Sequence, residues 1–240
     1  MALILVTGAS SGLGRETAVA LAAQGHDVVG HARSSGSQGS LKGLAEVLYA
    51  DLARLDETLE LAAQANGIGV FDAVIHNAGV LSGAEVAAVN IVAPYLLSTA
   101  MTRPGRVVFL SSSMHRSGSS IPPTAAALMS GRLRYEDSKL QVTAFSMALA
   151  HWWPEVLVHA VDPGWVPTRM GGPHAPDSLE EGHRTQEWIA TADAAEISPR
   201  TGGYWHHRRT QRPHPAALDT EYQDALLAAL AEHTSRILPL

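Results

Sequence analysis

Tyr135 and Lys139 stand four residues apart in the run RYEDSKLQV, in a chain that carries nearly all its cations on arginine and has only one other lysine, Lys42. On a helix this spacing sets both side chains on one face, with Cβ atoms about 5–6 Å apart, so an ammonium can stand close to a phenol. A free tyrosine, of pKa about 10, holds its proton too tightly to exchange it readily at neutral pH. An ammonium about 4 Å from the phenol oxygen, at an effective dielectric of about 20, favours the phenolate by roughly 4 kcal/mol before desolvation is subtracted. The pair therefore predicts a Tyr135 hydroxyl of lowered pKa, suited to acid–base work. Upstream, Ser111, Ser112 and Ser113 close the apolar run RVVFL. Side chains alternate along a strand, so Ser112 is expected to face away from its two neighbours.

A second constellation is TGASSGLG, which sets Gly8, Gly12 and Gly14 between an apolar run and a helical pattern. Glycine accepts positive φ and lets backbone N–H groups approach a pyrophosphate with no Cβ in the way. The helix that follows adds the partial positive charge of its N-terminus. The spacing is Gly-x-x-x-Gly-x-Gly, which departs from the Gly-x-Gly-x-x-Gly dinucleotide fingerprint.

The elements that must hold these residues alternate along the chain. Short apolar runs (ALILV, DVVGHA, EVLYADL, FDAVIH, RVVFL, VLVHAVD, TGGYWHH) are separated by helical patterns, in the way of βαβ units around a parallel sheet. In the first helix Val19, Leu21 and Ala22 are expected to face inward, with Gly25 ending it. The run from Pro167 to Pro199 is the least regular. With 240 residues, 46% hydrophobic, the chain suits one domain over residues 1–240. A formal net charge of −6 supplies no cationic field for nucleic acid or anionic lipid. Cysteine is absent, which excludes disulfides and thiolate metal sites. The opening apolar run is too short for a signal or a membrane span, so a cytoplasmic protein is expected. The twelve histidines show no recognised ligand spacing, and His206 and His207, adjacent on a predicted strand, should face opposite ways, so no metal site is expected.

Taken together, TGASSGLG, HNAG (His76 to Gly79), Asn90 in an apolar helix, the serine run, Tyr135-x-x-x-Lys139 and DPGWVPT resemble the short-chain dehydrogenase/reductase family, in family order. The C-terminal stretch is similar to retinol-dehydrogenase-like and polyketide ketoreductase-like members. The resemblance implies a Rossmann-type doubly wound sheet of about seven strands in the order 3-2-1-4-5-6-7. It implies that Ser112, the second serine after the strand, polarises a carbonyl, with Ser113 as the alternative. Lys139 would bond the nicotinamide ribose, and Asn90 would kink its helix and hold a water that relays protons to Lys139. Gly8, Ser10, Ser11, Gly12, Leu13 and Gly14 would cradle the pyrophosphate. Asp51 and Leu52 would meet the adenine, Asn77, Ala78 and Gly79 would flank the cofactor, and Pro163, Gly164, Val166 and Thr168 would hold the carboxamide. His76 replaces the usual first asparagine of Asn-Asn-Ala-Gly. The family commonly forms dimers or tetramers through the helices bearing Asn90 and Tyr135, so a homo-oligomer is implied.

At the end of the second strand a carboxylate usually binds the adenosine ribose, whereas an arginine accommodates a 2′-phosphate. Here no carboxylate stands there and Arg33 follows, with Ser34 beside it, so NADP(H) is favoured over NAD(H). The expected activity is NADPH-dependent reduction of a bulky apolar ketone or aldehyde, with Tyr135 as general acid. Residues 167–200 would form the substrate segment, where Trp165, Met170, Trp188 and several histidines could line a pocket. The alternatives are an NAD-dependent secondary-alcohol dehydrogenase and a non-catalytic NADPH-binding regulator.

Overall fold

A computed structural model describes residues 1–36 and 41–238. One eight-stranded sheet runs through it in the order β3-β2-β1-β4-β5-β6-β7-β8. The strands are β1 (Leu3–Val6), β2 (Asp27–Ala32), β3 (Glu46–Tyr49), β4 (Ala73–His76), β5 (Arg106–Leu110), β6 (Leu157–Asp162), β7 (Gly203–His206) and β8 (Arg209–Gln211). All neighbours pair in parallel except β7 and β8. The helices are α1 (Gly12–Ala23), α2 (Leu55–Ile68), α3 (Ala93–Ala100), α4 (Ala125–Met129), α5 (Tyr135–Trp152), α6 (Leu179–Thr191) and α7 (Thr220–Thr234).

The two-residue period of β1 sorts its side chains between two cores. Ile4 and Val6 join α1 residues Ala18 and Leu21 and α6 residue Ile189 on one face, while Leu5 joins α2 residues Leu61 and Ala65 on the other. In α1 the buried positions are Gly14, Thr17, Ala18 and Leu21, the i, i+3, i+4, i+7 stripe of a helix lying on a sheet. Val19 is 40% exposed, so the inward face was expected about one position away from where it lies. Gly25, at φ +87°, turns the chain back towards β2. In α5 every residue from Ser138 to Ala150 is buried, because α7 closes over its outer side with Tyr222, Leu226, Ala229 and Leu230.

The eighth strand is the addition to the expected seven. Its residues Arg209, Thr210 and Gln211 are all exposed, so it carries no apolar alternation. The hairpin leading to it bends at His207 and Arg208, both at positive φ, with neither glycine nor asparagine to signal the turn. His207 therefore lies off the strand, and its ring stacks on that of His206 at 3.9 Å instead of facing away. Among the described residues no helix is long and apolar enough to cross a membrane.

Candidate active site

The carboxyl ends of β1 and β4 lie side by side where the strand order reverses, the crevice in which open α/β sheets bind ligands. All three glycines of the first turn are there by necessity, Gly12 for its φ of +56°. At Gly8, φ is +68° and a Cβ would stand 2.9 Å from the Ala78 Cα. At Gly14 a Cβ would overlap the Gly8 carbonyl and the Asn77 amide. The Asn77 amide donates to the Thr7 carbonyl at 2.9 Å, and the Thr7 hydroxyl accepts from the backbone N–H groups of Asn77 (3.0 Å) and Ala78 (3.1 Å). Ser11 precedes α1 without a side-chain capping bond, so the first N–H groups of that helix keep their capacity for an anion. A Cβ at Gly12 would stand 3.3 Å from the Thr168 methyl, so the turn after β6 closes over the glycine turn. Ser10 and Leu13 lie in the same turn, half-buried. This cradle, open only where no side chain intrudes, fits a dinucleotide pyrophosphate.

His31 supports the turn from below. Its Nδ1 accepts from the Gly8 N–H at 3.2 Å and its Nε2 lies 2.9 Å from the Ala50 carbonyl, which fixes a neutral ring that burial also favours. Arg33 and Ser34 are exposed just beyond β2, and Arg33 has no carboxylate partner among the described residues. The Asp51 carboxylate accepts from Ala53 N–H at 3.0 Å while Leu52 is buried beneath it.

Lys139 and Tyr135 share one side of α5, with the lysine Nζ 5.4 Å from the phenol ring centroid. The ammonium, buried, donates to the Leu110 carbonyl at 2.7 Å. Burial draws its pKa down to about 8, against the opposing pull of the Asp162 charge. For Tyr135 the expected direction is reversed. Burial pushes the phenol up to about 12, the Ser112 hydroxyl offsets part of this, and the Asp162 charge adds to it. Helical spacing brings the cation near the phenol but says nothing of the desolvation of either group. Here the ammonium is turned to a backbone carbonyl, and burial of the phenol wins.

The three serines separate cleanly. Ser111 is buried with its hydroxyl 2.6 Å from that of Thr143, Ser113 is exposed, and Ser112 is the one beside the phenol. Asn90 sits in a π turn (Ala88–Val92) that widens the helix ahead of α3. Its side chain accepts from Val80 N–H at 2.8 Å and donates to the Val80 carbonyl and the Ser138 hydroxyl, both at 2.9 Å. A Cβ at Gly79 would lie 3.4 Å from Asn90 Oδ1 and 3.6 Å from Lys139 Nζ, so the HNAG turn passes between them. After β6, Gly164 takes φ +83°, Val166 is buried, and Pro163 is half-buried.

The short chain dehydrogenase profile matches residues 2–178. The chain belongs to the short-chain dehydrogenase/reductase family. It is 35% identical over 260 residues to the short-chain dehydrogenase chry4 of Gibberella zeae, covering 100% of this chain and 99% of that one. It is 30% identical over 243 residues to a candidate daunorubicin C-13 ketoreductase, DnrU, of a Streptomyces species, covering 86% and 83%. Among solved structures, a Mycobacterium paratuberculosis protein of undescribed role superposes with a TM-score of 0.82 at 22% identity, over 100% of this chain and 96% of that one. A short chain dehydrogenase of Escherichia coli complexed with NADPH gives 0.72 at 23% identity, over 87% and 97%. Short-chain dehydrogenases/reductases are oxidoreductases that act on CH–OH and C=O groups of small molecules with a nicotinamide cofactor, and this chain is one of them.

Beside the phenol a cleft of about 610 Å³ opens, lined by Leu81, Met114, Arg132, Leu133, Tyr135 and Glu136 among others. Its walls come from the loop after β4 and the approach to α5. The run 167–200 divides: Met170 is exposed, like Trp165 just before the run, whereas α6 packs on α1, with Gln186 bonded to Thr17 at 3.3 Å and Trp188 against Trp205 at 5.2 Å. Two side chains at this end of the sheet are additions to the residues expected from the sequence. Asp162, buried, accepts from Gly164 N–H at 3.0 Å and stands 3.6 Å from His206 Nδ1. His115, fully buried, lies directly behind Ser112. Asp162 heads the quoted DPG run, and a carboxylate ending an apolar strand was its one available signal; His115 had none.

Proposed function

We propose that the chain is an NADPH-dependent carbonyl reductase in which Tyr135 donates the proton. The observation that carries this reading is a proton-holding phenol that lines an open cleft, with the Ser112 hydroxyl bonded to it and the Lys139 ammonium 5.4 Å from its ring. When bound, the reduced nicotinamide supplies a hydride to the carbonyl carbon. The carbonyl oxygen accepts hydrogen bonds from Ser112 and Tyr135, which stabilise the negative charge it gains. As the C=O π pair becomes an oxygen lone pair, that oxygen takes the Tyr135 proton and leaves a phenolate beside Lys139. A phenol with a pKa pushed up to about 12 is well matched to an alkoxide, which is more basic still. Lys139 stabilises the phenolate and passes a proton back to it. Since the Asn90 side chain is engaged by Val80 and Ser138, the water that relays protons to Lys139 would be held by a backbone carbonyl of its π turn.

NADPH is favoured because Arg33 stands exposed and, among the described residues, without a carboxylate partner where a 2′-phosphate would lie, and a same-fold chain is complexed with that cofactor. Leu81, Met114 and Leu133 in the cleft wall suit a bulky, largely apolar ketone or aldehyde, in keeping with a ketoreductase among the relatives. The exposed stretch around Trp165 and Met170 would close over it. The oligomer implied by the resemblance would pair the helices bearing Asn90 and Tyr135; with α7 lying over α5, we read the protein as monomeric through that face. The test is spectrophotometric: loss of NADPH or NADH absorbance against a panel of ketones, quinones and aldehydes. Reduction with a preference for NADPH is expected, and a protein that binds NADPH but turns over nothing in either direction would overturn the reading.

A further inference from the structure

Ser112, two residues beyond β5, caps a short 3-10 turn, Ser113–Ser117, and the carbonyl of that same residue is gripped twice by His115. The His115 backbone N–H donates to it at 3.0 Å and the ring Nδ1 lies 2.7 Å from it. On the other side of the ring, Nε2 takes the backbone N–H of His214 at 3.0 Å. The ring is fully buried and packs on Tyr204 of β7 with centroids 4.6 Å apart. The next residue repeats the attachment: Arg116 donates to the Arg212 carbonyl at 2.8 Å and to the Gln211 side chain at 3.1 Å. The turn that presents Ser112 is thus fastened to β7, β8 and the segment before α7, all of which lie beyond residue 178, where the family match ends.

A carbonyl oxygen can only accept and a backbone N–H can only donate, so these two partners dictate the ring's state. Nδ1 must carry the proton and Nε2 must be bare, which makes His115 a neutral ring in the Nδ1–H form. Protonation would turn Nε2 from acceptor into a donor facing the N–H of His214. Burial, with Arg116 and His214 nearby, lowers the pKa of His115 in the same sense, against the Asp162 charge and the bond to Ser112.

We infer that His115 is a positioning residue: it transmits the hold of the C-terminal β7–β8 hairpin to Ser112 and so fixes the hydroxyl that the substrate oxygen meets. Two donors on one carbonyl lock the peptide plane after Ser112, and with it the direction in which the serine Cα–Cβ bond points. The inference rests on the proposed role of Ser112. Misplacing such a group by about 1 Å can cost about a hundredfold in rate without touching cofactor binding.

The test uses the full chain and the carbonyl compound of the panel that is reduced fastest. His115→Phe is expected to lower kcat about 10- to 100-fold with KM for NADPH unchanged. His115→Asn, whose amide N–H replaces Nδ1–H, should stay within about threefold of wild type, whereas His115→Gln, which reaches only the Nε2 position, should fall with the phenylalanine variant. The order of the Asn and Gln variants decides the matter even if His115→Phe does not fold; equal or inverted effects overturn the proposal. In a Ser112→Ala background, His115→Phe should cost little more. A full additional loss there would show that His115 acts elsewhere and overturn this inference while leaving the reductase reading standing. Wild-type turnover by Ser112→Ala would instead remove the role of Ser112, and this inference with it. Independently of turnover, nitrogen NMR of histidine-labelled protein, assigned with His115→Asn, should find the Nδ1–H form at neutral pH; the Nε2–H form or a charged ring contradicts the proposal.

Discussion

His76 makes a sharp prediction about acid stability. Its ring is buried and stacks on Phe109 with centroids 4.8 Å apart, its Nδ1 has no hydrogen-bond partner among the described residues, and burial draws its pKa down to about 3. In the unfolded chain an ordinary histidine, of pKa about 6.5, takes up a proton as the pH falls from 7 to 5, while folded His76 stays neutral. The unfolded state then binds more protons, so acidification lowers folding stability. The loss attributable to His76 over that interval is about 2 kcal/mol, from roughly 1.4 kcal/mol for each pH unit below 6.5. This figure is set by the unfolded pKa and holds for any folded value well below 5. His159, fully buried and drawn down to about 4, contributes in the same direction, so the wild type should lose more than the His76 share alone. Urea unfolding at pH 7 and pH 5 of wild type and His76→Phe isolates the term, because each protein is its own reference. The variant should lose about 2 kcal/mol less between the two pH values, whatever its absolute stability. Identical pH dependence in the two proteins would mean that His76 is charged or solvated in the fold, and would refute the reasoning.

Three further outcomes follow from the geometry. Gly14→Ala must force α1 away from the Gly8 carbonyl and Asn77, and should cost about 1–3 kcal/mol in thermal unfolding together with most of the NADPH affinity; unchanged titration with NADPH would contradict the cradle. Arg33→Ala should raise KM for NADPH by about 10- to 100-fold, the worth of a hydrogen bond to a charged group, and leave KM for NADH unaltered; equal effects on both would show that the guanidinium does not meet the phosphate. Any oligomer found by light scattering should pair through a face other than α5, and an interface mapped to α5 would contradict the burial of that helix beneath α7.

Features that depend on a few neighbouring residues were the legible ones. The Tyr135–Lys139 spacing on a helix, the glycines of the first turn, and the alternation of strand and helix are all local, and they carried the family, the strand order and most of the candidate site. What the sequence did not reveal is made by contacts between distant segments. His115 meets His214, 99 residues away, and Asp162 meets His206, 44 residues away, with no local pattern to announce either. The cleft beside Tyr135 is walled by the loop after β4 and the approach to α5, two stretches with no periodic signal, and β8 is a three-residue polar strand. The Tyr135 pKa departs from the expectation for a related reason: spacing along a helix fixes which groups are neighbours but not how deeply they are buried, and here burial of the phenol sets the direction while the ammonium turns to the Leu110 carbonyl.

The central claim is that the Tyr135 hydroxyl gives its proton to the reduced carbonyl. The most direct measurement is single-turnover reduction by Tyr135→Phe, alongside fluorescence titration of the same variant with NADPH. The account predicts a fall in rate of about a hundredfold to ten-thousandfold, the usual worth of a positioned general acid, with NADPH affinity nearly that of wild type. Reduction at the wild-type rate by a phenylalanine that has no proton to give would contradict it.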